Sequence, residues 1–385
     1  MSVINIDGDL VHYEVLGRGR PVILIHGWLG SWRYWVPTMR QLQLKYRVYA
    51  MDLFGYGDSS KNPARYSVAR QVHLLDELMQ QLGVPKAAMI GHGLGAQVLL
   101  EFARLYPERV ARMMLVSAPL FDPGNLETRQ PSPLPAPVAT NGSSGRPRGD
   151  VEGPLASKGR GPLRSGPKDK TLANRPAELQ PEPFDPERTI ASVDNQTLAN
   201  PRMIDRDRLR QAALERGSAA MRGAQNNRPL PLPPLPQVAM SANGKNPLQA
   251  VLAGSLDNLL VRCFKRSDPE FEKLEADIRR TDPAVLATSA QRFDAGMMLD
   301  TLCQMPMPAI VVHGADDPIV PVPGDTVWDY VTRGKDDTVL PFPLPGVRHF
   351  PMLEYDLFQQ MVGTFLEIPD LNKIELKERW RRRSR

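Results

Sequence analysis

A glycine turn, two histidines and an aspartate are the residues of this chain whose types and spacing bear most directly on chemistry. Gly91-His92-Gly93-Leu94-Gly95 has the spacing of G-x-S-x-G, the sharp strand-to-helix turn that lifts its central side chain toward substrate, with glycine standing where a nucleophilic serine is expected. His313-Gly314-Ala315-Asp316-Asp317-Pro318 and Gly346-Val347-Arg348-His349-Phe350-Pro351 carry the carboxylates and an imidazole, and His26-Gly27-Trp28 adds another glycine turn upstream. An imidazole steadied by a carboxylate can take and return a proton, provided it lies within hydrogen-bond reach of that proton. Glycine offers no nucleophile, so His349 and Asp317 could act only on a bound water or on the substrate itself.

The elements that must position these residues are legible as alternating patterns. Val22 to Ile25, Ala87 to Ile90, Val110 to Val116 and Ala309 to Val312 are short apolar runs, as buried strands require. Ala96 to Leu105, the residues near Trp32 to Leu44 and Val68 to Leu82 read as helices between them. Ser2 to Ile6 and Leu10 to Leu16 read as a hairpin turned by Asp7-Gly8. Strand and helix in alternation imply a parallel sheet with helices on both faces.

In this order along the chain, these motifs resemble the α/β-hydrolase superfamily, and Asp52 to Ser59 resembles its glycine-rich loop after the next core strand. The resemblance implies an α/β fold, a mostly parallel sheet with helices on both faces and an enlarged, partly disordered cap insertion. It places Gly93 at the nucleophile position with the side chain absent, Asp317 at the triad acid with Asp316 as its rival, and His349 at the triad histidine. The oxyanion-hole donors would be the backbone N–H groups of Trp28 and Leu94, which depend on no side chain. His26, Gly27, Trp32, His92, Ser117 and Val320 are the further pocket candidates. Ser117 ends the strand after the elbow helix and could approach His349, while Ser31 reads as a helix cap.

Two functions follow from that resemblance. Some superfamily relatives lack the nucleophile and act as binding or signalling proteins, which suggests a noncatalytic binder of a small apolar carbonyl compound or of a protein partner. The alternative is a hydrolase or lyase of esters or related carbonyl substrates using the His349/Asp317 pair. A dinucleotide site is the weaker competitor: Gly91, Gly93 and Ala96 fit G-x-G-x-x-G/A, but the following strand ends in Ser117 where an acidic residue about 20 positions on is needed.

The domain reading is a split core: residues 1–120 as its first part, 121–246 as a proline-rich low-complexity insert, 247–293 as a helical cap, 294–370 as the second part and 371–385 as a basic tail. From Pro123 to Pro236 the chain holds about half of its 38 prolines, and Phe184 is the single aromatic between Phe121 and Phe264. Such a stretch lacks the apolar surface that offsets chain entropy and is expected to be mostly disordered. Pro131 to Pro137 and Pro229 to Pro236 read as polyproline II pieces, a possible dock for a protein partner. Asp205 to Arg222 reads as a charged helix. Pro247 to Phe264 reads as one helix, with Leu248, Val251, Leu252, Leu259, Leu260 and Phe264 near helical period.

Lys377 to Arg385 accounts for the formal net charge of +5. It offers a weak contact to an anionic surface but implies no basic face on the globular part, so no nucleic-acid partner is expected. The six histidines are scattered without ligand spacing, so neither a metal nor a cofactor is expected. With two cysteines, Cys263 and Cys303, no leader pattern at Met1 to Leu10 and no apolar run of about 20 residues, the expected location is cytoplasmic. The expected ligand is small and apolar or aromatic.

Overall fold

The computed structural model describes residues 2–134, 246–333 and 338–368. The proline-rich tract at Pro229 to Pro236, the Asp205 to Arg222 segment and the basic tail lie outside the described residues.

Asp7-Gly8 closes the first hairpin, β1 (Ser2–Ile6) and β2 (Asp9–Leu16), with φ of 51° and 91°. Positive φ at both turn residues matches the twist of the flanking strands, which is why Asp-Gly suits this turn. The remaining strands are β3 (Arg20–Ile25), β4 (Tyr46–Met51), β5 (Ala87–His92), β6 (Val110–Val116), β7 (Ala309–Gly314) and β8 (Val339–Leu344). They form one sheet in the order β1-β2-β4-β3-β5-β6-β7-β8. The β1/β2 and β2/β4 pairs are antiparallel and all later pairs parallel. β7 is buried along its whole length and β3, β5 and β6 nearly so, the continuous apolar runs of a parallel sheet covered on both faces.

Helix α1 (Val36–Leu42) packs on β4 and on α11 (Phe358–Glu367), while α2 (Val68–Gln81) packs on α3 (Leu94–Leu105), which lies along β5 and β6. Between β6 and β7 come α4 (Pro247–Val251), α5 (Leu256–Cys263), α6 (Phe271–Ile278), α7 (Ala284–Ala290) and α8 (Ala295–Gln304); α9 (Asp325–Thr332) and the short α10 (Pro351–Glu354) follow later. The single helix expected over Pro247 to Phe264 is thus two. Gly254 takes φ 123° and the Ser255 hydroxyl accepts from the Asn258 N–H at 3.2 Å, so the chain turns and a new helix is capped there. Among the described residues no helix is long and apolar enough to cross a membrane.

The sheet order puts β3, β5, β6 and β7 side by side in its middle with their C-terminal ends on one edge. That edge is where an open parallel sheet places ligands, and it carries the loops that hold Trp28, Gly93, Ser117 and Asp317.

Candidate active site

Gly93 lies between β5 and α3 with φ 52° and ψ −109°. The turn is tight: a Cβ on Gly91 would strike the backbone of Gly95, and one on Gly95 would strike the carbonyls of Ile25 and His26. The outer glycines are therefore demanded by close backbone approach. Leu94 opens α3, where an N–H has no partner within the helix.

Asp317 and His349 meet. Asp317 Oδ2 stands 2.8 Å from His349 Nδ1, and Oδ1 accepts from the N–H groups of Ile319 and Val320 at 2.8 and 2.9 Å. Burial opposes ionisation of this carboxyl, but His349 and the two backbone donors outweigh it and hold the pKa below the ordinary carboxylate value. With Nδ1–H donated to Asp317, His349 presents Nε2 as an acceptor, and this buried nitrogen has no hydrogen-bond partner among the described residues. Asp316, the rival acid, is exposed on the same loop.

His349 is fixed through its backbone. Its carbonyl accepts from His92 Nε2 at 2.8 Å and from the Ser117 hydroxyl at 3.2 Å. Ser117, at φ 47°, therefore reaches His349 at the main chain, beside the ends of β5 and β6. On the far side Glu354 accepts from the N–H groups of Arg348 and Phe350, both at 3.1 Å.

His92 belongs to a relay for which no local signal exists in the chain. The Gly27 N–H donates to the Tyr34 hydroxyl at 2.6 Å, Tyr34 donates to His92 Nδ1 at 2.9 Å, and His92 Nε2–H donates to the His349 carbonyl. Burial, with His349 nearby, holds the His92 imidazole well below its ordinary pKa and hence neutral. Tyr34 is 58 residues from its partner and sits in an aromatic run, so only the folded loop reveals it.

Other candidates serve the loops. His26 Nδ1–H donates to the Gly27 carbonyl at 2.9 Å and Nε2 accepts from the Leu53 N–H at 3.0 Å, tying the loop after β3 to the loop after β4. Trp32 donates its backbone N–H to Asp52 at 2.9 Å and its ring lies 5.6 Å from His12, within the Asp52 cluster. The His12 imidazole and the carboxylates of Asp52 and Asp58 are near enough to suggest a cation site, yet Asp52 is occupied by Trp32, Asp58 and His12, and Asp58 by Arg33 and Arg280. Val320 is buried, its N–H spent on Asp317.

The site is closed. Trp28, Leu94 and His349 are each 0% exposed. A cavity of about 530 Å³ opens beside the loops after β6 and β7, lined by residues including Phe121, Phe293 and Val322, and one of about 420 Å³ lies between α3 and α8, lined by residues including Gln97 and Met298. Trp28, Trp32, Leu94 and Val320 line neither. Helices α5 and α6 and the turn between them instead grip three loops of the site, those after β3, β7 and β8. Ser31 donates to Asp277 at 2.8 Å, Arg262 to the Pro318 carbonyl at 2.6 Å, and Arg348 to Asp268 at 3.1 Å.

Comparison with known proteins agrees with this architecture. Residues 20–140 match the family model described as alpha/beta hydrolase fold. A stretch of 136 residues, 35% of this chain, is 32% identical to the soluble epoxide hydrolase of Corynebacterium sp. strain C12 and spans 46% of that enzyme. The chain thus spans under half the length of that relative. Among solved structures, a hydrolase from Pseudomonas aeruginosa PA01 superposes with a TM-score of 0.53 at 16% identity, over 95% of this chain and 98% of that one. A serine-to-glycine mutant of the N-acyl homoserine lactonase AidH, complexed with N-hexanoyl homoserine lactone, gives 0.53 at 18% identity, over 95% and 96%. The fold is the α/β-hydrolase fold.

Proposed function

We propose that this protein is a noncatalytic member of the hydrolase scaffold that binds a small apolar carbonyl compound. The observation that carries this reading is Gly93 itself, the residue at the strand-to-helix turn, with φ 52° and no side chain to attack a carbonyl. In the serine triad the attacking oxygen is the atom that bonds to substrate, and neither the histidine nor the acid replaces it. What remains, the N–H of Leu94 at the start of α3 and the N–H of Trp28 in the loop after β3, is suited to holding a carbonyl oxygen. The lactonase variant that carries glycine for one serine is complexed with a lactone, which supports binding by this fold after such a replacement. A protein partner for the proline-rich insert is compatible with this reading, as is a reducing, cytoplasmic setting for the buried cysteines Cys263 and Cys303.

A second reading has one observation in its favour. His349 Nε2 is buried without a partner among the described residues while Asp317 holds Nδ1, the arrangement of a base aimed at a proton. On this reading His349 takes a proton from water or from the substrate's α-carbon, and the protein is a hydrolase or lyase.

Equilibrium dialysis against short-chain lactones and aryl esters, with the recovered ligand identified by mass spectrometry, separates the two. The binder retains the ligand and returns it intact. Recovery of hydrolysed or eliminated product in proportion to protein, and its loss in His349→Ala, establishes the second reading instead.

A further inference from the structure

Trp28 stands where an elbow side chain would go. A Cβ placed on Gly93 would lie 2.9 Å from both Cε3 and Cζ3 of the Trp28 indole, far inside the roughly 3.5–4.0 Å at which carbon atoms rest against one another. The same indole lies along the His349 imidazole, with ring centroids 6.2 Å apart and planes inclined by 22°. Gly27 Cα lies 3.6 Å from that Cβ position, and the Gly27 N–H is tied to Tyr34, so the loop carrying Trp28 is held against the elbow. One buried ring thus abuts Gly93 and lies along His349.

We propose that Trp28 and Gly93 are a matched steric pair: the indole fills the volume a nucleophile needs, and chemistry at the elbow requires both residues to change. This rests on the noncatalytic reading and assigns the closure of the site to a named side chain. Serine at the elbow meets two obstacles. The positive φ strains any L residue there whatever surrounds it, while the collision with the indole exists only when Trp28 is present.

The test uses the full chain as wild type, Gly93→Ser, Trp28→Ala and the double variant, each with and without His349→Ala, assayed on phenyl acetate. In the double variant the introduced hydroxyl attacks the acetyl carbon and its proton passes to His349 Nε2 and on to the departing phenolate. Water then cleaves the acetyl ester, releasing acetate and restoring the hydroxyl. The double variant should exceed Gly93→Ser by about 100-fold in His349-dependent rate, the loss expected when reacting groups are held about 1 Å out of place.

Thermal melting is the readout that needs no activity. Gly93→Ser should lower the Tm more in the Trp28 background than in the Trp28→Ala background, because only the first contains the collision. Should Trp28→Ala fail to fold, Trp28→Leu withdraws the ring while keeping the core apolar. Equal Tm losses in both backgrounds, or Gly93→Ser as active as the double variant, overturns the pairing. His349-dependent turnover by the wild type overturns the noncatalytic reading instead, and the melting cycle still decides the pairing.

Discussion

Asp317 Oδ2 and His349 Nδ1 are 2.8 Å apart, and both side chains are withdrawn from solvent. The contact joins the loop after β7 to the loop after β8, so it is a structural tie as well as a candidate proton-handling pair. Because the folded-state pKa of Asp317 lies below its unfolded value, its contribution is present above the unfolded carboxylate pKa and is lost as pH falls through the folded one. Asp317→Ala leaves His349 and two backbone N–H groups buried without their acceptor and should lower stability by about 3 kcal/mol, read by urea unfolding at neutral pH. The difference between wild type and variant should shrink on acidification below about pH 4.

A second acidic group gives a sharper pH signature. Asp300 on α8 accepts two bonds from Arg129 at 2.7 Å, one from the Tyr330 hydroxyl at 2.5 Å and one from the Ser132 N–H at 3.1 Å. Burial works against its charge, but these donors bring its pKa down to about 2. The sign is that of a depressed carboxylate, so this clamp stabilises the fold above about pH 4 and fades between about pH 4 and 2. Asp300→Asn should remove about 2 kcal/mol at pH 7, and the variant's unfolding midpoint should converge on that of wild type near pH 2. A constant gap across that range would contradict the assignment.

How much of this was legible in the sequence follows from how local each signal is. The hairpin at Asp7-Gly8, the strands and the elbow spacing are written in consecutive residues, because turn chemistry and apolar runs act over a few positions. The break at Gly254 was missed because the apolar spacing of Pro247 to Phe264 continues across it. The Tyr34–His92 bond and the grip of Asp277, Arg262 and Asp268 are illegible for a different reason: each joins residues more than fifty positions apart, and their types carry no mark of a partner. In the sequence Trp28 reads as a backbone donor and as a residue lining the pocket. That its ring would lie against Gly93 depends on how the loop after β3 packs on the elbow, which only the folded chain fixes.

The relay can be probed by one atom. Tyr34→Phe removes the hydroxyl that accepts from Gly27 and donates to His92, leaving a buried donor and a buried acceptor unsatisfied. The expected loss is about 2 kcal/mol, measured by chemical denaturation. A change below about 0.5 kcal/mol would show that the loop relaxes to other partners.

The three grips of α5 and α6 on the site should differ in strength with burial. Asp268 and Arg348 are about a quarter to a third exposed, at 26% and 30%, and Asp268→Ala should change stability by less than about 1 kcal/mol. Asp277, whose carboxyl is raised in pKa by burial despite Ser31 and Arg33, should cost about 2 kcal/mol when replaced by alanine. Hydrogen exchange should accelerate in α5 and α6 in both variants while β5 to β7 keep their protection. Faster exchange in the sheet as well would mean that these contacts support the whole fold instead of the cover over the site.

On the noncatalytic reading proposed above, an α/β-hydrolase fold binds its ligand without nucleophilic attack. Hydrolysis of phenyl acetate by wild type beside His349→Ala, at matched concentration and neutral pH, tests it most directly. The account predicts rates that coincide with each other and with the buffer. A wild-type rate well above that of His349→Ala would contradict it, and would make Asp317 and His349 a working base on water or substrate.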